Sequence, residues 1–262
     1  MKITGQTVLI TGGATGIGLG LAEALVREGN RVLVCGRREV RLREAQAKVP
    51  ALQIKVGDVS KPDDCQALAA WAVALGVNVL VNNAGIQRLI DLREGVAALE
   101  AGDNEIRTNF EGPLYLTAAL MPHLLTRPDA AIINVSSSLA FAPIAAMPVY
   151  CATKAAVHAW TAALRHQLRS TRIRVFEVIP PTVDTELDRG ARAKRGQLDR
   201  GIPVRQAVAE ILVGLQLDHP EIAIAGAAHL VNATPQERTQ LFERMNPTAS
   251  YSASTWQSTQ GR

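Results

Sequence analysis

Residues Thr7 to Gly20 read "TVLITGGATGIGLG", a β-branched run that passes through a glycine-rich turn straight into a helical pattern. Gly12, Gly16 and Gly18 follow the spacing G-x-x-x-G-x-G. Glycine lets the backbone of such a turn approach a pyrophosphate and lets the helix sit close against the strand. The helix N-terminus offers unpaired N–H groups to the phosphates. A plain strand-to-helix junction can also be glycine-rich. The place of this one after the first strand, and the lack of a Walker-type Lys, point to a dinucleotide.

Outward from this turn, short β-branched runs alternate with longer amphipathic stretches, the pattern of a parallel sheet covered by helices on both faces. Strands are expected at residues 7–11, 31–36, 52–57, 78–82, 131–136, 174–179 and 221–226, and helices at 16–28, 38–47, 62–75, 103–125, 149–170, 203–217 and 235–244. The expectation is α/β: a single doubly wound Rossmann domain over residues 1–246 with a seven-stranded parallel sheet. Residues 184–202, polar and Gly-punctuated, are expected to form a substrate lid. Residues 247–262 are expected to form a polar, flexible tail.

The 262 residues suffice for a sizeable core. Apolar residues make up 47% and charged residues 20%, a soluble globular composition. The net charge of +4 is spread, with Arg interleaved among Glu, so nucleic acid is not an expected partner. Cys35, Cys65 and Cys151 have no metal-ligand spacing and suit reduced thiols, so no metal is expected. Neither a signal peptide nor an apolar run of membrane-spanning length is visible, which points to the cytoplasm and away from a membrane.

Three further stretches carry chemistry. After the second strand comes "CGRRE", with Arg37 and Arg38 where an acidic residue would favour the ribose of NAD; guanidinium groups suit the 2′-phosphate of NADP. The alternative is a helix that opens on surface arginines, since Arg41 and Arg43 follow. The fourth strand ends in "NNAG", where Asn83, Ala84 and Gly85 fall in the ligand crevice of such sheets. In "PVYCATKAAV", Pro148 to Val157, Tyr150 and Lys154 stand four apart on one helix face, a phenol beside an ammonium. A phenol ordinarily titrates near pH 10, and bringing it to neutrality takes about 4 kcal/mol. A unit charge about 4 Å away at an effective dielectric of about 20 supplies roughly that much.

Taken in order, "TGGATGIG", "NNAG", a Ser and "YCATK" resemble the short-chain dehydrogenase/reductase family over about residues 7–185. "NNAGIQR", "VYCATKAA" and "PPTVDTEL" are most similar to its DltE-type oxidoreductases. The resemblance implies that Tyr150 is the general acid/base and that Lys154 binds the nicotinamide ribose and tunes Tyr150. It also implies that Ser137, 13 residues before Tyr150, holds the substrate oxygen and that Asn109 completes a proton relay. Pro113 has no N–H to give to the carbonyl of Asn109, which leaves that carbonyl open to the relay. The cofactor-binding set implied is Gly12, Ala14, Thr15, Gly16, Ile17, Gly18, Arg37, Arg38, Asp58, Val59, Asn83, Ala84, Gly85, Tyr150, Lys154, Pro180, Val183 and Thr185. Pro181 stands where the family has Gly, so the path of that loop is where the sequence departs from the pattern.

The expected activity is NADP(H)-dependent interconversion of a carbonyl and a secondary alcohol, with NAD(H) the less favoured cofactor. The substrate is expected to be a small molecule, its pocket lined by Ile144, Met147 and Leu187. Arg189, Arg192, Lys194, Arg195 and Arg200 could favour an anion there, although a solvated loop is the preferred account of them. A homodimer or homotetramer paired through helices 103–125 and 149–170 is implied by the family. The rival reading is a non-catalytic NADP(H)-binding sensor or regulatory protein, which would not need Tyr150.

Overall fold

Seven parallel strands form one sheet in the order β3-β2-β1-β4-β5-β6-β7. They are β1 (Thr7–Thr11), β2 (Arg31–Gly36), β3 (Gln53–Val56), β4 (Val79–Asn82), β5 (Ala131–Val135), β6 (Arg174–Ile179) and β7 (Glu221–Ala223). The computed structural model describes residues 1–187 and 201–247. Chain order reverses between β1 and β4, which opens a crevice at the carboxyl ends of those strands.

The strands are apolar on both faces, and alternation sends successive side chains to opposite layers. Val8, Ile10, Val32, Val34, Val79 and Val81 face α1 (Gly16–Arg27), α2 (Glu39–Lys48) and the later helix Val204–Gln216. Leu9, Leu33, Leu80, Ile132 and Val175 face α3 (Pro62–Ala74) and the long helices of the second layer. Polar residues interrupt that second face in one row. Asn82, Asn134 and Glu177 are adjacent in register across β4, β5 and β6. The first two are linked inside the core: Asn82 Nδ2 donates to Asn134 Oδ1 (2.9 Å) and Asn134 Nδ2 to Thr161 Oγ1 (2.9 Å).

The boundaries follow the sequence reading except around the fourth crossover. There a 3₁₀ turn (Leu92–Glu94) and the one-turn α4 (Ala97–Glu100) precede the expected helix. The helix opens as a π-helical turn at Arg107–Glu111 and becomes α-helical as α5 (Gly112–Leu124). Pro113 has no N–H for the α-type bond, and the wider turn begins just before it. α6 (Pro148–Gln167) carries Pro at its first position, as expected of a helix start. The remaining helices are α7 (Val204–Gln216), α8 (Ala227–Val231) and α9 (Pro235–Met245), the last opened by a Thr234–Glu237 capping box. β7 is shorter than expected, because Ala225 takes φ 48° two residues after its end.

Of the expected lid, residues 188–200 lie outside the described residues, and with them Arg189, Arg192, Lys194, Arg195 and Arg200. Its flanks are tied together: Asp184 N–H donates to Ile202 C=O (2.9 Å) and Ile202 N–H to Thr182 C=O (3.0 Å). Gly201 has φ 77°, and any Cβ there would strike the Thr182 carbonyl. Of the expected tail, residues 248–262 also lie outside the described residues.

Candidate active site

A cavity of about 410 Å³ occupies the crevice at the carboxyl ends of β1 and β4. Gly12, Ala14, Thr15, Gly16 and Ile17 line one end. Gly12 has φ 64°, and a Cβ on it would stand 2.9 Å from Ala84 Cα. Thr15 caps α1 without a side-chain hydrogen bond, so its first N–H groups face the cavity uncapped. Gly18 lies behind the wall. A Cβ there would sit 2.5 Å from Asn83 Nδ2 and from Gly12 C=O, so glycine is what brings α1 against the turn. Asn83, Ala84 and Gly85 line the cavity, and Asn83 Nδ2 donates to Thr11 C=O (2.9 Å), fastening this loop to β1.

Arg37 and Arg38 stand at the other rim, with Asp58 and Val59 beside them. Arg41, which the sequence leaves open as a surface residue, lines the same rim. Each arginine meets a carboxylate from across the opening. Arg37 pairs with Asp103 (2.8 Å), while Arg38 and Arg41 reach Glu186 at 3.8 Å and 3.4 Å. Asp58 turns its carboxylate to Ser60 N–H (3.0 Å) and Oγ (2.8 Å), shaping the entry to α3. No sequence signal marks Asp103 or Glu186, because loop carboxylates look alike until the fold sets them against a cation.

Tyr150 and Lys154 are buried on α6 and line the cavity. Lys154 Nζ lies 5.7 Å from the Tyr150 ring centre and donates to the Val135 carbonyl (2.8 Å). Burial pushes the Lys154 ammonium down to about 8, and the Glu177 carboxylate acts against that shift. Asn109 sits in the π-turn. Its amide clamps Ile86 from both sides, accepting from Ile86 N–H (2.8 Å) and donating to Ile86 C=O (2.9 Å). A Cβ on Gly85 would lie 3.5 Å from Asn109 Oδ1 and 3.6 Å from Lys154 Nζ, so these two groups flank one small residue. One turn earlier, the buried Glu105 accepts from Arg88 N–H (3.0 Å) through Oε1, while Oε2 has no partner. Burial pushes this carboxyl up to about 7.

The three serines after β5 divide their work. Ser136 lines the cavity and donates to Glu177 Oε1 (2.5 Å). Ser137 is buried beside it and caps the following 3₁₀ turn, its Oγ accepting from Leu139 N–H (3.1 Å). Ser138 N–H donates to Pro180 C=O (2.9 Å), which ties this turn to the cavity wall that Pro180 and Thr185 form. Val183 turns its side chain into the core instead. Pro181 is accommodated without strain, since no residue from 180 to 187 has positive φ. Ile144 and Met147 pack against Tyr150 and Cys151, and Leu187 reaches the cavity. Asn246, at the end of α9, clasps the segment before α6. Its Oδ1 accepts from Ala145 N–H (2.6 Å) and its Nδ2 donates to Pro143 C=O (3.0 Å).

A glycine cradle, a basic rim and a buried phenol–ammonium pair thus share one crevice. The family model described as short chain dehydrogenase matches residues 6–196, a span that holds all of them. The chain belongs to the short chain dehydrogenase family. Within this family it is 47% identical, over 94% of its own length and 98% of the other, to a Bacillus subtilis (strain 168) protein named uncharacterized oxidoreductase DltE. A short chain dehydrogenase from Burkholderia cenocepacia J2315, solved in complex with NADP, superposes with TM-score 0.80 at 30% identity, covering 94% of this chain and 99% of that one. The 3-ketoacyl-(acyl-carrier-protein) reductase from Brucella melitensis, complexed with NADH, gives TM-score 0.73 at 26% identity, with 83% and 94% covered. This short chain dehydrogenase is therefore an oxidoreductase with a nucleotide-binding fold of that family. Among its described residues no helix is long and apolar enough to cross a membrane.

Proposed function

We propose that the protein is a NADP(H)-dependent reductase or dehydrogenase acting between a carbonyl and a secondary alcohol of a small molecule. The observation that carries this reading is the buried Tyr150–Lys154 pair at the inner wall of the cavity whose other end is the glycine cradle. The cofactor, when bound, supplies or accepts the hydride. In the reducing direction Tyr150 gives its phenolic proton to the oxygen that gains charge as the carbonyl carbon is attacked. Lys154, an ammonium 5.7 Å from the ring centre, stabilises the phenolate left behind. Ser137 donates a hydrogen bond to the same substrate oxygen. Asn109 positions the Ile86 backbone at the cavity wall. The preference for NADP(H) rests on Arg37, Arg38 and Arg41 at the rim, and the relative of higher TM-score carries NADP while the other carries NADH. The domain is read as continuous over residues 1–246, cytoplasmic, and assembled as a homodimer or homotetramer.

The test is NADPH consumption across a panel of ketones and aldehydes, run on the parent and on Tyr150→Phe. The variant is expected to lose at least ~10²-fold in turnover, the low end for general acid catalysis, with NADPH affinity within a few-fold by fluorescence titration. Near-normal turnover without the phenol would overturn the mechanism.

A further inference from the structure

Glu177 is fully buried in the middle of β6, between the apolar residues Val175 and Ile179 on the same face. Both its oxygens are taken. Oε1 accepts from Ser136 Oγ (2.5 Å), and Oε2 lies 2.8 Å from His158 Nδ1. Tyr150, Lys154 and His158 form one stripe on α6, spaced by four residues. Glu177 therefore faces this stripe from the sheet. The Lys154 ammonium is itself buried but spends its described hydrogen bond on a neutral carbonyl, and among the described residues no carboxylate lies within 4 Å of it. A buried ammonium without a counter-charge tends to release its proton.

We infer that Glu177 is a positioning residue that serves as the remote counter-charge of Lys154, holding it as an ammonium in the cofactor-free protein, while its bond from Ser136 ties that charge to the cavity wall. The inference rests on the reading of Lys154 as the charge that tunes Tyr150. The groups facing Glu177 are Lys154 and His158 from α6 and Ser136 from the end of β5. Beyond His158 lies the Phe141 ring, 4.6 Å away, with Arg238 over its other neighbourhood at 5.9 Å from the ring centre. His158 is partly exposed, whereas the Glu177 side chain is not.

The experiment is lysine side-chain NMR of the cofactor-free protein across pH. The chain has six lysines, and Lys154→Met identifies the resonance of interest. Glu177→Gln, which keeps the shape and removes the charge, is expected to lower the Lys154 titration by about one pH unit. The matching limb of the kcat–pH profile should move the same way, with KM for NADPH within a few-fold. Ser136→Ala and Glu177→Asp keep the charge and are expected to leave the titration within a few tenths of a unit. An unchanged titration in Glu177→Gln, or an equal drop in Ser136→Ala, would overturn the inference. If Glu177→Gln does not fold, the two charge-retaining variants still decide: a large drop in either assigns the effect to packing. The NMR needs neither cofactor nor substrate, so a protein that reduces no carbonyl would sink the proposed activity and leave this measurement standing.

Discussion

Lys154 is placed where a lysine is least comfortable, and its cost to the fold can be read from its titration. Lowered from 10.5 to about 8 by burial, it is protonated in both native and unfolded chains below pH 8, so the full penalty applies there. Between pH 8 and 10.5 the native chain has released the proton and the unfolded one has not, so native stability rises with pH. The difference of about 2.5 pH units corresponds to roughly 3 kcal/mol, offset in a Lys154→Met variant by the lost bond to the Val135 carbonyl, about 1–2 kcal/mol. Lys154→Met should therefore abolish turnover while raising the melting temperature of the cofactor-free protein by a few degrees at pH 7, about 2–4 °C per kcal/mol at this size. The advantage should shrink as pH approaches 10.5, and a variant less stable at pH 7 would contradict the account. At the rim, a Cβ on Gly36 would meet open space, with only Leu42 at 4.0 Å. Gly36→Asp with Arg37→Ala should fit, and should turn an NADPH preference of at least ~10-fold into one for NADH, read as kcat/KM at fixed salt. The Tyr150–Lys154 spacing, the cradle and Arg37 were legible because each needs only local sequence. Asp103 and Glu186 were not, because nothing short of the fold sets them against arginines 66 and more than 140 residues away.

At the scale of elements, the π-turn at Arg107–Glu111 is the piece that sequence pattern least describes. The pattern predicts a helix from residue 103, and Pro113 marks a missing N–H; the outcome is a widened turn at residues 107–111 rather than a regular helix. Glu105 and Asn109, one turn apart, together hold residues 86–88, so the turn works as a two-pronged clamp on the cavity wall. The Glu105 prong carries a measurable penalty. Its carboxyl is raised from 4.5 to about 7 by burial: below pH 4.5 it is neutral in both states, and from 4.5 to 7 native stability falls as the unfolded chain ionises first. Glu105→Gln should therefore shift the urea midpoint upward at pH 8, by up to about 3 kcal/mol in stability, and leave it nearly unchanged at pH 4.5. Equal gains at both pH values would mean that packing, not ionisation, is responsible. The serines teach a related lesson. Counting back from Tyr150 selects Ser137, yet Ser136 is the one joined to a buried carboxylate, a partnership that depends on β6 lying beside β5.

The whole molecule was the most legible level, since apolar runs alternating with amphipathic stretches fix a doubly wound sheet almost by themselves. Assembly is a matter for the outer faces. Tyr115 on α5 and Ile106 just before the π-turn are about half exposed, which leaves apolar area on the helix that the proposed assembly would use. Sedimentation at micromolar concentration should show a dimer or tetramer, and Tyr115→Glu should shift it toward monomer; a parent that sediments as a monomer would refute the assembly. The clasp of Asn246 on Pro143 and Ala145 has a consequence for birth rather than for chemistry. The glycine turn after β1 meets its packing partners Asn83 and Ala84 at the end of β4, early in the chain. The segment leading into α6, however, waits for a residue about a hundred positions downstream. On the ribosome the entry to α6 can therefore be fastened only after nearly the whole described chain has been made.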